Sequence, residues 1–371
     1  MNKMMNKMIV SNLLHRPLRS AISVVAVGLE VTLILLIVGL SLGMLSDARQ
    51  RQLGIGADVI VLPPGSSAIV SFTGAPAPIK VADVLRKLPH IVSVAPVLMQ
   101  LSAAGTVETI YGIDLKSYES LGGPFTYIHG GPFQGPDDAL VDDFFAQGHH
   151  VKVGDTIEIL NHPFRVAGIV AHGKGARKFL PIATLQELIG AQGKASAFYV
   201  KLDNANNADE VIKEIKNVPG MSDYVVRSTR EYLSMMTPSS YPGLSTFINV
   251  VVAISVTIGF IVIFQAMYTA VMERTREIGI LKSLGASKLY VVNVVLWETV
   301  LLAIGGVITG VLVSLIARVA MREKLPTLPV VMTGGWILRA TVVAILGAVL
   351  GALYPAFKAA QKDPIEALAY E

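Results

Sequence analysis

No cysteine occurs in the 371 residues. That excludes disulfide staples, thiolate metal sites and thiol nucleophiles, so any exported part must be held by its own packed core. Charge is scarce too: 16% Asp, Glu, Lys and Arg against 52% hydrophobic residues, with a mean hydropathy of +0.57. A chain this apolar is not an ordinary soluble protein. The common signatures of catalysis are also missing. "GAQGKAS" and "HGKGARK" hold a glycine-flanked lysine but not the G-x-x-x-x-G-K-[ST] spacing, so no phosphate cradle is encoded in these residues. There is no H-E-x-x-H helix and no G-x-S-x-G elbow. Among the histidines, only His149 and His150 with Asp142 or Asp143 have a spacing that suits a metal, and histidines of a loop-rich domain are more often solvated than ligating. We therefore expect no enzyme activity, no resident metal and no cofactor bound by this chain.

What is present is four apolar runs, which place transmembrane helices at 21–46, 245–271, 291–317 and 336–357. Roughly 20 helical residues suffice to cross the ~30 Å hydrocarbon core. The first run, Ala21 to Leu45, is too long for a signal-peptide apolar core and lacks a small-x-small cleavage site, so it reads as a retained anchor. The fourth run is the least clear because it contains Arg339.

Charge placement orients these spans. From Asp47 to Leu244 there are 17 Lys and Arg against 19 Asp and Glu, whereas the rest of the chain holds 14 against 8. The basic excess flanks helices, which is a topology signal and not a nucleic-acid patch. It predicts cytoplasmic N- and C-termini, an outer loop at 318–335, a cytoplasmic tail at 358–371 and a large extracytoplasmic domain at 47–244. Residues 1–20 read as an amphipathic interfacial helix, with Met4, Met5, Met8, Ile9 and Leu13 opposite Lys3 and Lys7.

The exported domain reads as mixed α/β. "ADVIVL", "KVADVLRKLP" and "IVSVAPVLM" make a strand, a helix with Val81, Val84, Leu85 and Leu88 on one face, and a second strand. "NADEVIKEIKNVPGMSDYVV" repeats the helix-and-strand pattern with Val211, Ile212 and Ile215. Between them, "KVGDTIEILNHPFRVAGIVA" alternates around an Asn-His-Pro turn and predicts a hairpin in a mostly β insertion.

Two carboxylates lie in the spans. Glu30 falls about 14 Å into the first, where a charge costs at least a few kcal/mol unless paired, protonated or wetted. Its readings are a site in a substrate cavity, a coupling switch, or a protonated side chain bonded to Ser255 or Thr257 of a neighbouring helix. Glu298, near the cytoplasmic end of the third span, suits snorkelling or pairing with a basic residue of the preceding segment. Gly39 and Gly43, Gly306 and Gly310, and Gly347 and Gly351 have the four-residue spacing that lets helices pack closely.

The segment 272–290 is too elaborate for a turn. In a helix from about Glu273 to Leu284, residues Ile278, Ile280, Leu281 and Leu284 share a broad apolar face, while Thr275, Arg276, Lys282 and Ser283 lie round the other side. Gly285 suits a left-handed helix end and Ser287 a cap for the next helix. An apolar stripe rimmed by charges suits a protein groove.

This stretch, "ERTREIGILKSLGAS", resembles the signature of the FtsX/MacB-type permeases of ABC transporters, E-R-x-x-E-I-G-h-h-x-x-h-G-A-[ST], at Glu273, Arg274, Glu277, Ile278, Gly279, Leu284, Gly285, Ala286 and Ser287. "RPLRSAIS" is similar to the family's approach to the first span. "YPAFKAAQKDPIEALAYE" is similar to its ending, at Pro355, Ala356, Ala359, Pro364, Ala367 and Leu368. The resemblance implies an α-helical membrane protein with four spans and a MacB-like α/β exported domain of βα units with an inserted subdomain. It makes 272–290 a coupling helix docking in an ABC ATPase subunit, with Glu273, Arg274, Arg276, Glu277, Ile278, Gly279, Leu281, Lys282, Leu284 and Gly285 as the coupling residues. It further implies a homodimer in membrane lipid of a bacterial inner membrane, served by a separate ATPase that uses ATP and Mg, with a periplasmic adaptor as a further partner. The expected work is export or extraction of an amphipathic substrate: lipid or lipoprotein, antimicrobial peptide, macrolide or haem. The rival is an FtsX-like transducer that activates a cell-wall hydrolase without transport.

Overall fold

The computed structural model describes residues 17–66, 75–102, 108–241 and 243–362. The predicted interfacial helix, apart from residues 17–20, and Pro364, Ala367 and Leu368 of the tail lie outside the described residues. The chain forms two compact units, Gly43–Pro242 with Lys324–Pro329, and the remainder.

Helix α1 (Pro17–Gly54) has 38 residues, about 57 Å at 1.5 Å per residue. It runs unbroken past the expected span end at 46, and from Gly43 onward it belongs to the exported unit. That unit then follows as β1 (Val59–Leu62), β2 (Ala77–Pro78), α2 (Val81–Leu85), β3 (Ile91–Ser102), β4 (Glu108–Ile113), α3 (Leu115–Gly122), β5 (Tyr127–Gly130), β6 (Asp138–Asp142), α4 (Asp143–His149), β7 (Thr156–Ile159), β8 (His162–Val170), β9 (Lys178–Pro181), α5 (Ile182–Leu188), β10 (Lys194–Ala195), β11 (Ala197–Leu202), α6 (Ala208–Asn217), β12 (Val225–Ser228) and α7 (Thr229–Ser234).

One ten-stranded sheet runs β12-β1-β11-β3-β4-β9-β6-β8-β5, with β7 on β8. The two βα units do not sit side by side; they interleave. β1 pairs antiparallel with both β11 and β12, and β11 pairs antiparallel with β3. Each unit's two strands are therefore parallel with a strand of the other between them, the split βαβ arrangement. Strand β1 is buried on both faces, and alternation along it separates two cores. Val59 and Val61 pack with Leu85, Val211 and Ile215 of α2 and α6, while Ile60 and Leu62 pack with Tyr118, Tyr199 and Tyr232.

The insertion continues this sheet: twelve-residue β3 pairs with β4 from Val97↔Ile113 to Ser102↔Glu108. Two local expectations change. Helix α2 is only five residues long and Val84 is 43% exposed, because Ala82 and Leu85 take the core positions. The β7–β8 hairpin turns at Leu160 and Asn161, both at positive φ (53° and 60°), so His162 and Pro163 lie in the second strand.

The other unit contains α8 (Leu244–Glu273), α9 (Thr275–Ser283), α10 (Lys288–Lys324) and α11 (Gly334–Gln361). With α1, three of these are long and apolar enough to cross a membrane: α8, α10 and α11. Helix α10 continues to Lys324, shortening the outer loop to 325–333.

Close packing comes from small residues. Gly28 approaches Gly306 and Gly310 so tightly that a Cβ on Gly310 would lie 2.6 Å from the Gly28 carbonyl oxygen. A Cβ on Gly351 would lie 2.9 Å from the Phe260 carbonyl oxygen, and one on Gly39 2.9 Å from Val330. Gly347 has ordinary contact with Val256, and Gly43 is buried. Alanines extend the α11 seam: Ala340, Ala344, Ala348, Ala352 and Ala356 are each at most 2% exposed.

Candidate functional site

Helix α8 breaks at one residue, Arg274 (φ −106°, ψ 18°), and α9 begins at once. Three devices fix α9. Buried Thr275 turns its hydroxyl back to the carbonyls of Met272 (2.8 Å) and Val271 (3.3 Å). At the other end the Ala286 and Gly285 N–H groups donate to the carbonyls of Leu281 and Lys282, both 3.0 Å, a Schellman ending that needs the positive φ of Gly285 (96°). The Ser287 hydroxyl then accepts from the Tyr290 N–H at 3.2 Å and caps α10.

The faces of α9 differ from the sequence expectation. Ile278 and Gly279 are buried and Thr275 lies beside them, while Arg276, Glu277, Ile280, Ser283 and Leu284 are exposed, Leu284 by 80%. The apolar set thus divides: Ile278 faces the bundle, Ile280 and Leu284 face away, and Leu281 is half-buried. Lys282 also turns inward, donating from Nζ to the carbonyls of Ala360 (3.0 Å) and Lys362 at the end of α11. These are carbonyls that a helix C-terminus leaves open, and a cation there also meets the negative end of the helix dipole.

The charged residues of the signature divide as well. Arg274 Nη1 lies 3.1 Å from Glu298 Oε2, and Arg19 Nη2 of α1 lies 3.1 Å from Glu298 Oε1. Arg19 Nη1 is also 3.8 Å from Glu273. Glu298, 4% exposed at its side chain, therefore joins the start of α1 to the α8–α9 break. Glu277 stands apart, exposed and without a hydrogen-bond or ion-pair partner among the described residues. Arg19 was invisible as a site residue from sequence because its partner is 279 positions away.

Deeper in the spans, Glu30 is 4% exposed and its Oε1 has no hydrogen-bond partner among the described residues. Its carboxyl lies against Gly259, where a Cβ would come 1.9 Å from Oε2. Thr257 is not its partner: that hydroxyl donates to Ala253 of its own helix, and Ser255 is buried and makes no hydrogen bond to Glu30 among the described residues. Gly28 and Gly259 were missed from sequence because the pairs singled out had glycine at both positions, whereas Gly28 is followed by Thr32 and Gly259 preceded by Ser255 at the four-residue spacing.

In the exported unit the proposed ligand set of His149, His150, Asp142 and Asp143 is dispersed. Asp143 pairs with His172 at 3.0 Å, His149 meets the Phe145 carbonyl, and His150 closes α4 in a left-handed conformation. Asp142 caps α4 through the Phe145 N–H at 2.7 Å and accepts from Arg177 Nη1 at 3.2 Å. Arg177 is shared with Asp47 of α1 at 3.0 Å and donates to the Thr327 carbonyl. Burial dominates at Asp142 and pushes its carboxyl up to about 6, against the opposing pull of Arg177 and the Phe145 N–H.

Four membrane-length helices, a large α/β domain following the first, and a short fastened helix between the second and third define a multi-pass membrane protein with a large domain outside the spans. Residues 20–218 match the family model described as MacB-like periplasmic core domain, and 249–364 match that described as FtsX-like permease C-terminal. The chain belongs to this family of FtsX/MacB-type ABC transporter permeases. Among its relatives, the macrolide export ATP-binding/permease protein MacB of Rhodospirillum rubrum is 26% identical over 95% of this chain and 58% of its own length. An uncharacterised ABC transporter permease of Methanocaldococcus jannaschii is 28% identical over 59% of this chain and 58% of its own. The chain spans about half the length of the curated relatives it matches. The crystal structure of the periplasmic region of MacB from Actinobacillus actinomycetemcomitans is 20% identical, covering 50% of this chain and 94% of that one with a TM-score of 0.39.

Proposed function

We propose that this chain is the transmembrane subunit of an ABC exporter, and that α9 is the element its ATPase grips. The observation that carries the reading is the two-sided fastening of α9. Thr275, Ile278, Gly279 and Lys282 hold it to the spans, while Arg276, Glu277, Ile280 and Leu284 face outward as an apolar patch edged by both signs of charge. In this reading a separate ATPase subunit uses ATP and Mg, the permease works as a homodimer, and both termini are cytoplasmic. Motion of α9 passes through Arg274 and Glu298 to α1 and through Lys282 to α11. The substrate class is amphipathic, taken from the outer leaflet, and macrolides belong to it because relatives carry that name.

The test is reconstitution of the full chain with the ATPase that co-purifies with it. Glu277→Lys and Leu284→Asp should each abolish permease-stimulated ATP hydrolysis and weaken co-purification. Wild-type stimulation by both variants would remove α9 from the interface.

A further inference from the structure

Beside α9 lies a half-open cavity of about 300 Å³, lined by the end of α8, by Glu277, Ile278, Ile280 and Leu281 of α9 and by the start of α10, so that the exposed Glu277 and Ile280 border it. Its lining is largely apolar, including Met267, Ala270, Ile278, Leu281 and Val294, with Tyr290 among the lining residues. Three charged residues reach it: Arg274, Glu277 and Glu298. Arg274 and Glu298 are paired with each other, and Arg19 and Glu273 extend that pairing into a group of two cations and two carboxylates. Glu277 is the remaining carboxylate, with no partner among the described residues.

A concave apolar site with one uncompensated polar group has the character of a small-molecule pocket, and the volume lies at the lower end of the usual range. We infer that this cavity binds a cationic amphiphile, its apolar body against Met267, Ala270 and Val294 and its ammonium group beside Glu277 and the Tyr290 ring. The sign of the charge follows from Glu277, the carboxylate of the lining that has no ion pair among the described residues. Tyr290 strengthens the choice, because an aromatic face attracts ammonium groups and not anions. An anionic amphiphile of the same length would face Glu277 without compensation. Since Ile278 also helps to seat α9, an occupant wedges between α9 and the spans, so the pocket is a place where a small molecule regulates the permease from within the protein. This does not depend on which substrate is moved, nor on α9 being the ATPase contact.

The test uses the purified full chain alone in neutral-lipid nanodiscs, without ATPase. The probe is a dodecylamine carrying a diazirine in its alkyl chain, compared with the dodecyl sulfate bearing the same diazirine. Saturable photolabelling by the amine should map to peptides containing 267–281 and 290–298, exceed labelling by the sulfate, and fall about fivefold in affinity in Glu277→Gln, the upper end for an exposed ion pair. Ala270→Phe, which fills the cavity, should remove the labelling. Glu277→Gln replaces an exposed side chain and keeps the fold, so it carries the test if Ala270→Phe misfolds. Non-saturable labelling, labelling mapped elsewhere, or equal labelling by both probes with no effect of Glu277→Gln would overturn the assignment.

Discussion

A methyl group at residue 259 would sit 1.9 Å from Glu30 Oε2 and 2.7 Å from its Cδ, so the Glu30 carboxyl lies against α8 only because glycine stands there. Gly259→Ala should destabilise the membrane unit by about 1–3 kcal/mol, the usual cost of overpacking. Adding Glu30→Ala in the same chain should restore most of the loss, because the clash is with that side chain alone, and a double-mutant cycle of thermal unfolding in detergent measures the coupling. Additive losses would mean that the two residues do not touch. Asp142 supports a second prediction at this scale. Its carboxyl pKa is raised on folding, from 3.8 to about 6, so the stability it contributes is fully present below about 4 and is lost as pH rises through about 6. Hydrogen exchange of the β6–α4 segment in the full chain should therefore slow as pH falls from 7 to 4, after correction for intrinsic exchange, relative to Asp142→Asn. A pH-independent difference would show that Asp142 does not titrate in this range.

At the scale of the element, α9 combines what was legible in the sequence with what was not. The left-handed Gly285 and the Ser287 cap follow from local chemistry, which is why short-range patterns reveal them, whereas the break falls at Arg274, inside the helix expected from about Glu273. Which side of α9 faces the bundle does not, because apolar residues occupy both sides and only the packing of α8, α10 and α11 decides between Ile278 and Ile280. The same division holds in the exported domain. Two βα units were visible as repeated patterns, whereas their interleaving depends on β1 pairing with strands about 140 and 165 residues away, which no local period encodes. Lys282 has a contact that the sequence did not reveal: made a coupling residue by the resemblance, it also caps the end of α11. Lys282→Met should raise hydrogen exchange in both 275–284 and 359–362 while leaving α8 unchanged. Gly285→Val should disturb α9 alone, since the strain of forcing a β-branched residue to φ 96° is local.

Across the whole molecule, the proposed function requires that gripping and transmission be separable, because they use opposite sides of the same helix. Arg276 faces outward and Arg274 inward to Glu298, two residues apart with the same charge. In the full chain reconstituted with its ATPase, Arg276→Gln should weaken ATPase binding. Arg274→Gln should leave binding within about twofold, since the outer face is intact and Glu298 keeps Arg19, yet reduce substrate-stimulated ATP hydrolysis by about tenfold, within the usual range of a coupling energy. The substrates to supply are a macrolide, an antimicrobial peptide, a lipoprotein and haem. Stimulation by one of them, lost in Arg274→Gln, supports transport. If none alters the hydrolysis rate while a cell-wall hydrolase co-purifies with the exported domain, the chain is a transducer, and Arg274→Gln should then weaken hydrolase activation instead. If Arg274→Gln and Arg276→Gln behave alike in every readout, α9 does not have separate inner and outer roles, and the proposed route from Arg274 through Glu298 to α1 is wrong.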